Sequence, residues 1–285
     1  MIRIKICLLA ACLTFTGLTQ AVSAGDTSDA LAQAIDFRSE DARARDGARH
    51  PAQTLAFLQV QPGMIVAEGL PGGGWYTEIL ANYLGGDGGL YGVNLGEEVW
   101  PMFSRSAEWV ADHADRTATF TAMAEGFTDN GIAIKSFTFS TVPPEVMGTV
   151  DRVLLIRALH NLNRFESKAG TLSKTLSVAH NMLKDDGLVG VVQHRAAESA
   201  SDEWADGSNG YLKQSALIAM FEQAGFTLVA ESEINANPKD KPGADDYVWR
   251  LPPSLSGSKD NPDRRTAMLA IGESDRMTLL FRKAS

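Results

Sequence analysis

The chain has 285 residues, 44% of them hydrophobic and 21% charged, and 35 acidic against 26 basic side chains give a formal charge of −9. That apolar content excludes a disordered chain and is enough for one large core or two smaller ones. The acidic balance argues against a broad electrostatic grip on nucleic acid or anionic lipid, so neither is an expected partner.

In chain order, Arg3 and Lys5 precede an apolar run from Ile6 to Leu18, and Val22 and Ala24 suit the small pockets of a signal peptidase. The run is short for a bilayer span, so residues 1–24 are expected to be an export signal, with a periplasmic destination if the source has an outer membrane. Cys7 and Cys12 are the only cysteines and both fall inside it, which leaves the mature chain no disulfide and no thiolate metal site. Gly25 follows the expected cut, and a cysteine-linked lipid anchor is therefore not expected.

The mature chain, 25–285, is expected to be a single domain. Residues 29–60 form N-terminal helices interrupted at Arg49-His50-Pro51, where the proline suits a helix's first turn. Met64 to Glu68 is a short strand, Gly72-Gly73-Gly74 a bend, and Trp75 to Leu84 a helix with Ile79, Leu80 and Leu84 on one side. Strands follow at Leu90 to Leu95 and Ile134 to Phe139, with a helix between them inside Phe103 to Ala114. Val150 to Ile156 is nearly continuous in apolar residues, the mark of a strand covered on both faces. A helix from about Lys168 to Leu183 ends at the turn Lys184-Asp185-Asp186-Gly187, and Leu188 to Gln193 is another buried strand. A helix over 211–223, a strand from Phe226 to Ile234 and a last strand from Met277 to Arg282 complete the pattern. Alternating strands and helices imply a three-layer α/β sandwich with a mostly parallel, Rossmann-like sheet. Residues 235–275, rich in Pro, Gly, Asp and Ser, are too long for a plain connection and read as a lid-like insertion.

The sharpest local motif is the strand, acid, glycine cluster and helix of Glu68-Gly69-Leu70-Pro71-Gly72-Gly73-Gly74-Trp75. Glycine lets the backbone turn sharply and approach a ligand, and the helix start beyond it offers free N–H groups to a phosphate or carboxylate. No Gly-Lys-Ser/Thr follows, and the spacing is not Gly-x-Gly-x-x-Gly, which disfavours nucleoside triphosphates and dinucleotides. A tight turn that needs glycine only for packing is the plainer alternative.

On these residues, together with Arg157-Ala158-Leu159-His160-Asn161, Asp186 to Arg195, Val248-Trp249-Arg250-Leu251-Pro252-Pro253 and Glu273-Ser274-Asp275-Arg276-Met277, the sequence resembles the class I S-adenosylmethionine-dependent methyltransferases. It is most similar to an exported bacterial branch of them. The resemblance implies a seven-stranded sheet whose last strand is antiparallel, with S-adenosylmethionine lying across the strand ends. It also implies cofactor-binding roles for Glu68, Gly72, Gly73, Gly74 and Asn94. Two positions depart from the family pattern: Leu70 stands where its first glycine falls, and Asn94 replaces the acid that grips the ribose hydroxyls, with Glu97 or Glu98 as possible substitutes.

For catalysis, His160 or His194 is the candidate base because imidazole titrates near neutrality. Asn161 is a candidate for orienting the substrate, and Arg195 or Arg276 for holding a carboxylate or phosphate. The plainer alternatives are hydrogen-bonded strand-end histidines and an ion pair of Arg276 with Asp275 or Glu273. Tyr247 and Trp249 can wall the site from the insertion, whereas Trp75 and Tyr76 suit core packing. Scattered His and carboxylates define no metal shell. The expected function is methyl transfer to a small molecule or envelope component. The alternative is a noncatalytic exported protein that binds a small anionic ligand in the same cleft.

Overall fold

The structure, a computed structural model, describes residues 24–284. The expected export segment and both cysteines lie outside these residues, apart from Ala24, where the first helix begins.

The N-terminal region is four helices: α1 (Ala24–Asp36), α2 (Glu40–Arg43), α3 (Asp46–Arg49) and α4 (Pro51–Phe57). Ser39 caps α2 by accepting from the Ala42 amide, and His50 breaks the chain between α3 and α4 with a left-handed φ of 45°. Pro51 begins α4, where its missing N–H costs nothing. Then come β1 (Ile65–Gly69), α5 (Trp75–Tyr83), β2 (Gly89–Asn94), α6 (Ala107–Ala114), α7 (Arg116–Glu125), β3 (Ala133–Thr138) and β4 (Val150–Ile156). After them run α8 (Leu159–Asn163), α9 (Glu166–Ala169), α10 (Thr171–Met182), β5 (Leu183–Ala196), β6 (Leu212–Lys213), α11 (Gln214–Gln223), β7 (Phe226–Ser232), α12 (Pro262–Ile271) and β8 (Arg276–Lys283). The sequence reading missed α7, whose helical stripe is weak because alanine and threonine fill most of it. It also took Lys184 to Gly187 for a turn before a strand. These residues lie within β5, whose pairing with β4 shifts register between Val150 and Arg152.

The sheet order is β3-β2-β1-β4-β5-β8-β7, with β6 attached to the end of β5. Neighbours on the path are parallel except at β8, which runs antiparallel to β5 and β7. This is the expected seven-stranded, Rossmann-like arrangement, and the two-residue β6 is an addition to it.

Side-chain alternation on each strand builds two cores, one per face. Ala67, Tyr91, Val93, Val153, Leu155, Leu279 and Phe281 pack with α8, α10 and α11 through Leu159, Leu172, Leu176, Leu217 and Phe221. Val66, Leu90, Leu154 and Leu280 face the other way, against Leu31 and Ile35 of α1, Leu55 of α4, Ile79 and Leu80 of α5 and Phe120 of α7. Gly92 in β2 is what admits Phe120, since a Cβ there would sit 2.4 Å from the ring. The result is a three-layer sandwich.

The β7–β8 connection, residues 235–275, holds α12 and a single 3₁₀ turn, Val248–Arg250. It is pinned by a buried network in which Arg250 bonds Asp240 Oδ1 at 2.9 Å and the Tyr211 hydroxyl at 3.1 Å. Tyr211 in turn donates to Asp240 Oδ2 at 3.0 Å, and Asp246 lies 3.1 Å from Arg250 Nε.

Candidate active site

Strand order reverses between β1 and β4, the place where the loops of an open parallel sheet diverge and leave a crevice. The loop after β1 turns through Leu70, which has a left-handed φ of 53° and donates its N–H to Val93 O at 2.8 Å. Gly72 and Gly74 are also left-handed, at 61° and 80°, and Gly74 caps α5. The backbone at Leu70 therefore has the conformation a glycine adopts freely, and leucine holds it at a cost of about 1–2 kcal/mol. Arg157, just past β4, is a second non-glycine residue in this region, with φ 56°. Strained backbone of this kind, flanking a cleft on both sides, is characteristic of functional sites.

A cavity of about 480 Å³ opens there. One wall is the β1 elbow, from Glu68 and Leu70 through Gly73 to Trp75 and Tyr76; another is Ile156, Arg157, His160 and Asn161. His194, Glu273 and Ser274 close the far side, Arg45 and Arg49 come from the N-terminal helices, and Val248 to Ser254 reach over from the insertion. Six separated segments thus meet at the sheet's carboxyl edge. Among the expected residues, Glu68, Gly72, Gly73, His160, Asn161 and His194 line this cavity, with Trp249 of the insertion. Trp75 and Tyr76, expected to pack rather than to wall a cofactor, both line it; the guanidiniums of Arg38 and Arg49 lie 4.8 and 4.5 Å from the Trp75 ring centroid.

Other expected residues lie elsewhere. Gly74 packs against Met123 and Phe127, with no room for a Cβ, and is not on the wall. Asn94 ends β2 as expected but is 3% exposed, and its Nδ2 has no partner among the described residues. Leu95, Val99 and Trp100, which follow it, pack into the core of that face. Glu98, the expected substitute acid, accepts from Ser140 at 2.7 Å and does not line the cavity. Tyr247 is also off the wall. Arg195 is not free to hold a ligand: it bonds Asp275 at 2.9 Å and both oxygens of Glu233 at 2.7 Å. Arg276 is 3% exposed, donating to Glu273 at 3.1 Å and to the Ala48 carbonyl, so it braces Glu273 from behind the cavity wall.

Burial shifts Glu68, His160 and His194 of the cavity away from their ordinary values. Burial, aided by Arg157 and Arg164 and opposed by the Gln193 bond, brings His160 down to about 4. Burial, His160 and Arg157 likewise hold His194 well below 6.5. Both imidazoles are neutral at pH 7, the form that accepts a proton, and burial makes each a weaker base than free imidazole. Their rings lie 5.3 Å apart. His194 Nδ1 is 2.6 Å from Ser274 Oγ, and His160 Nδ1 is 3.3 Å from Gln193 Oε1. Gln193 Nε2 donates to the carbonyls of His194 and Gly210, which fixes Oε1 as the acceptor facing His160. His160 Nδ1 therefore carries the proton, and its Nε2 is left as an acceptor. The group that titrates near neutrality is Glu68: burial pushes its carboxyl up to about 7, against the opposing bond from Thr77 Oγ1 at 2.7 Å.

The sequence reading missed the role of the arginines. Glu273 receives Arg45 Nε at 2.7 Å and Arg49 Nε at 3.3 Å, besides Arg276. Burial pushes that carboxyl up, but the three guanidiniums outweigh it and hold Glu273 below its ordinary range. Arginines spread over 230 residues of chain give no local motif. The nearest sequence hint was the run Arg43, Arg45 and Arg49 on short helices beside a proline. Among the described residues, no group of three or more His, Cys, Asp or Glu side chains is placed to hold a metal ion. No described helix is long and apolar enough to cross a membrane.

No family model matches the chain, and no curated protein matches it in sequence. Solved structures do share its fold. The [4+2]-cyclase SpnF superposes with a TM-score of 0.52 at 14% identity, covering 89% of this chain and 91% of its own. An S-adenosylmethionine-dependent methyltransferase from Aquifex aeolicus gives 0.47 at 14% identity, over 72% of this chain and 93% of its own. The 1,6-didemethyltoxoflavin-N1-methyltransferase of Burkholderia thailandensis, with 1,6-didemethyltoxoflavin and S-adenosylhomocysteine bound, gives 0.46 at 15% identity over 90% and 87%. At these identities the likeness is one of fold alone.

Proposed function

We propose that the protein transfers the methyl group of S-adenosylmethionine to a small-molecule acceptor. The observation that carries this reading is the β1 elbow, where Leu70, Gly72 and Gly74 keep a left-handed backbone around an open cavity walled by Glu68. The fold is shared with methyltransferases, but also with a cyclase, so the reaction has to be argued from the site.

The residues present fit the cofactor. Gly73 has nothing within 4 Å of a Cβ position, so the elbow presents open space to a ligand. Asn94, at the position that the family resemblance gives to the ribose, has its Nδ2 unpartnered among the described residues but is buried off the cavity wall, so the fit rests on the elbow and Glu68. Glu68, Gly72 and Gly73 are the residues for the amino-acid end. When bound, the cofactor supplies an electrophilic methyl group on a sulfonium.

The chain's own contribution is to align and desolvate. Glu68, once ionised, complements a cation in a site where burial strengthens that attraction. His160 accepts a hydrogen bond at Nε2 from an N–H or O–H of the acceptor, orients it, and takes the proton that group loses as the methyl arrives, passing it on to solvent; Asn161 offers both a donor and an acceptor beside it. Val248, Trp249 and Leu251 to Ser254 wall the cavity on the side of the β7–β8 connection and limit the water beside the acceptor. Export to the periplasm is part of this proposal, carried by the sequence of residues 1–24. N-terminal sequencing of the exported protein tests it, with Gly25 expected first.

Calorimetric titration with S-adenosylmethionine and S-adenosylhomocysteine tests the function. Saturable binding of both supports methyl transfer. Binding of neither by the folded protein favours the second reading, a noncatalytic receptor for a small anion, for which the arginine-rich wall is the specific observation.

A further inference from the structure

The cavity wall carries more positive charge than its own acids neutralise. Three guanidiniums, those of Arg45, Arg49 and Arg276, pair with one carboxylate held ionised, Glu273, and a fourth, Arg157, lies near enough to feel its charge. Four minus one leaves three charges without a local counter-ion, and Glu68, the other acid on the wall, bonds Thr77 instead. Burial and mutual repulsion lower Arg49 to about 9 and burial lowers Arg157 to about 10, so both are strained by their surroundings yet remain protonated at neutral pH.

Their donors are also unspent. Arg49 is 1% exposed and lines the cavity, but only its Nε is engaged; both terminal nitrogens are buried without a partner among the described residues. Arg157 lines the opposite wall, and its guanidinium makes no hydrogen bond among the described residues, while its backbone is fixed by a 2.6 Å bond to Val192 O. A buried guanidinium with free donors is costly unless something accepts from them. The surrounding structure fixes these donors in place: Trp75 stacks on Arg49 and itself donates to Ala42 O at 2.9 Å, and Glu273 ties Arg45, Arg49 and Arg276 together.

We propose that Arg45, Arg49 and Arg157 form a receptor for a dianionic oxyanion, a phosphoryl group or a pair of carboxylates, carried by the methyl acceptor. The assignment to the acceptor rests on the methyl-transfer reading above; the oxyanion site itself does not. A single carboxylate would leave two of the three charges uncompensated, whereas a dianion leaves one. Guanidinium donors match the planar, two-pronged geometry of both candidate groups. His160 and Asn161 share the wall with Arg157, so an anion held there places the rest of a small molecule beside them.

Inorganic phosphate is the first probe and succinate the second, each titrated calorimetrically into the full mature chain with and without saturating S-adenosylhomocysteine. Saturable binding of phosphate or succinate is expected, with an affinity that the nucleoside leaves within about twofold. Arg157→Gln should weaken it tenfold or more, as expected for a lost charge-assisted pair, and Arg157→Lys should recover part of the loss. Because the Arg157 side chain bonds nothing else, neither variant removes a structural contact; Arg45→Gln provides an independent check should the left-handed backbone at 157 resist substitution. Failure of both anions to bind the wild-type protein overturns the site. Exclusion of the anion by S-adenosylhomocysteine overturns the acceptor assignment, since the arginines would then hold the cofactor's own carboxylate. If the nucleoside fails to bind while phosphate binds and Arg157→Gln abolishes it, methyl transfer falls and the oxyanion receptor stands.

Discussion

Glu68→Gln keeps the shape of the side chain at the end of β1 and leaves an oxygen to accept from Thr77, while removing the one group of the cavity that titrates near neutrality. The folded carboxyl titrates at about 7 against an ordinary value of 4.5, so between those pH values the native protein holds a proton that the unfolded chain has released. Stability from this group is therefore fully present below pH 4.5 and is lost as pH rises through 7. At 1.36 kcal/mol per pH unit, the stability of wild type relative to Glu68→Gln should fall by about 2–3 kcal/mol between about pH 5 and pH 8.5. Urea denaturation of both proteins across that range measures it, and taking the difference cancels the histidines and every other titrating group. A difference that stays flat with pH, or that grows as pH rises, would show that Glu68 is ionised throughout, and the argument from its burial would fail.

The same burial sets the sign for His160: its folded value of about 4 lies below the ordinary 6.5, so the unfolded chain binds more protons between them. In the Glu68→Gln background, replacing His160 by Gln should abolish about 3 kcal/mol of destabilisation that builds as pH drops from 6.5 to 4, read from denaturant midpoints. Binding of S-adenosylmethionine near pH 7 should release a fraction of a proton, because a cation beside Glu68 favours its carboxylate; calorimetry in buffers of different ionisation enthalpy reads this directly. Asp240→Ala leaves Arg250 buried without its 2.9 Å partner and should cost about 3–5 kcal/mol in thermal or urea unfolding, with faster proteolysis inside 235–275. Gly92→Ala forces a Cβ to within 2.4 Å of the Phe120 ring and should destabilise the fold by about 1–3 kcal/mol without altering ligand affinity.

Periodicity made the layers legible. The continuous apolar run of β4 and the amphipathic stripes of α5, α10 and α11 each signalled an element because every strand alternates its side chains between two cores. The short helices α8 and α9 carry no sequence signal because one turn has too few residues to show a 3.6-residue period, and α7 because small residues fill its faces; α2 and α3 fall within the helical stretch expected over 29–60 but are not separable in it. At the site, Glu68, Gly72, Gly73, His160, Asn161 and His194 were legible because each stands at the carboxyl end of a strand or in the segment just past it, and strand ends converge on one edge. Asn94 follows a strand as well, yet it is buried by the hydrophobic segment after it, and nothing local to Asn94 encodes that. The arginine cluster was invisible for a different reason. Its members come from α3 and its approach, the loop after β4 and the start of β8, and only the closed sheet brings them around Glu273. The protonation states followed the same rule, since desolvation by distant segments decides whether an imidazole or a carboxyl titrates near pH 7.

The account depends most on the glycine elbow being a ligand-facing surface. Gly73 lines the cavity and has open space around its Cβ position, so valine there should fill the ligand's place while leaving the fold intact. Equilibrium dialysis of labelled S-adenosylmethionine against wild type and Gly73→Val, with matched unfolding curves, is the direct measurement. Saturable binding to wild type that disappears in the variant is the predicted result; no binding to wild type, or equal binding to both, contradicts the account.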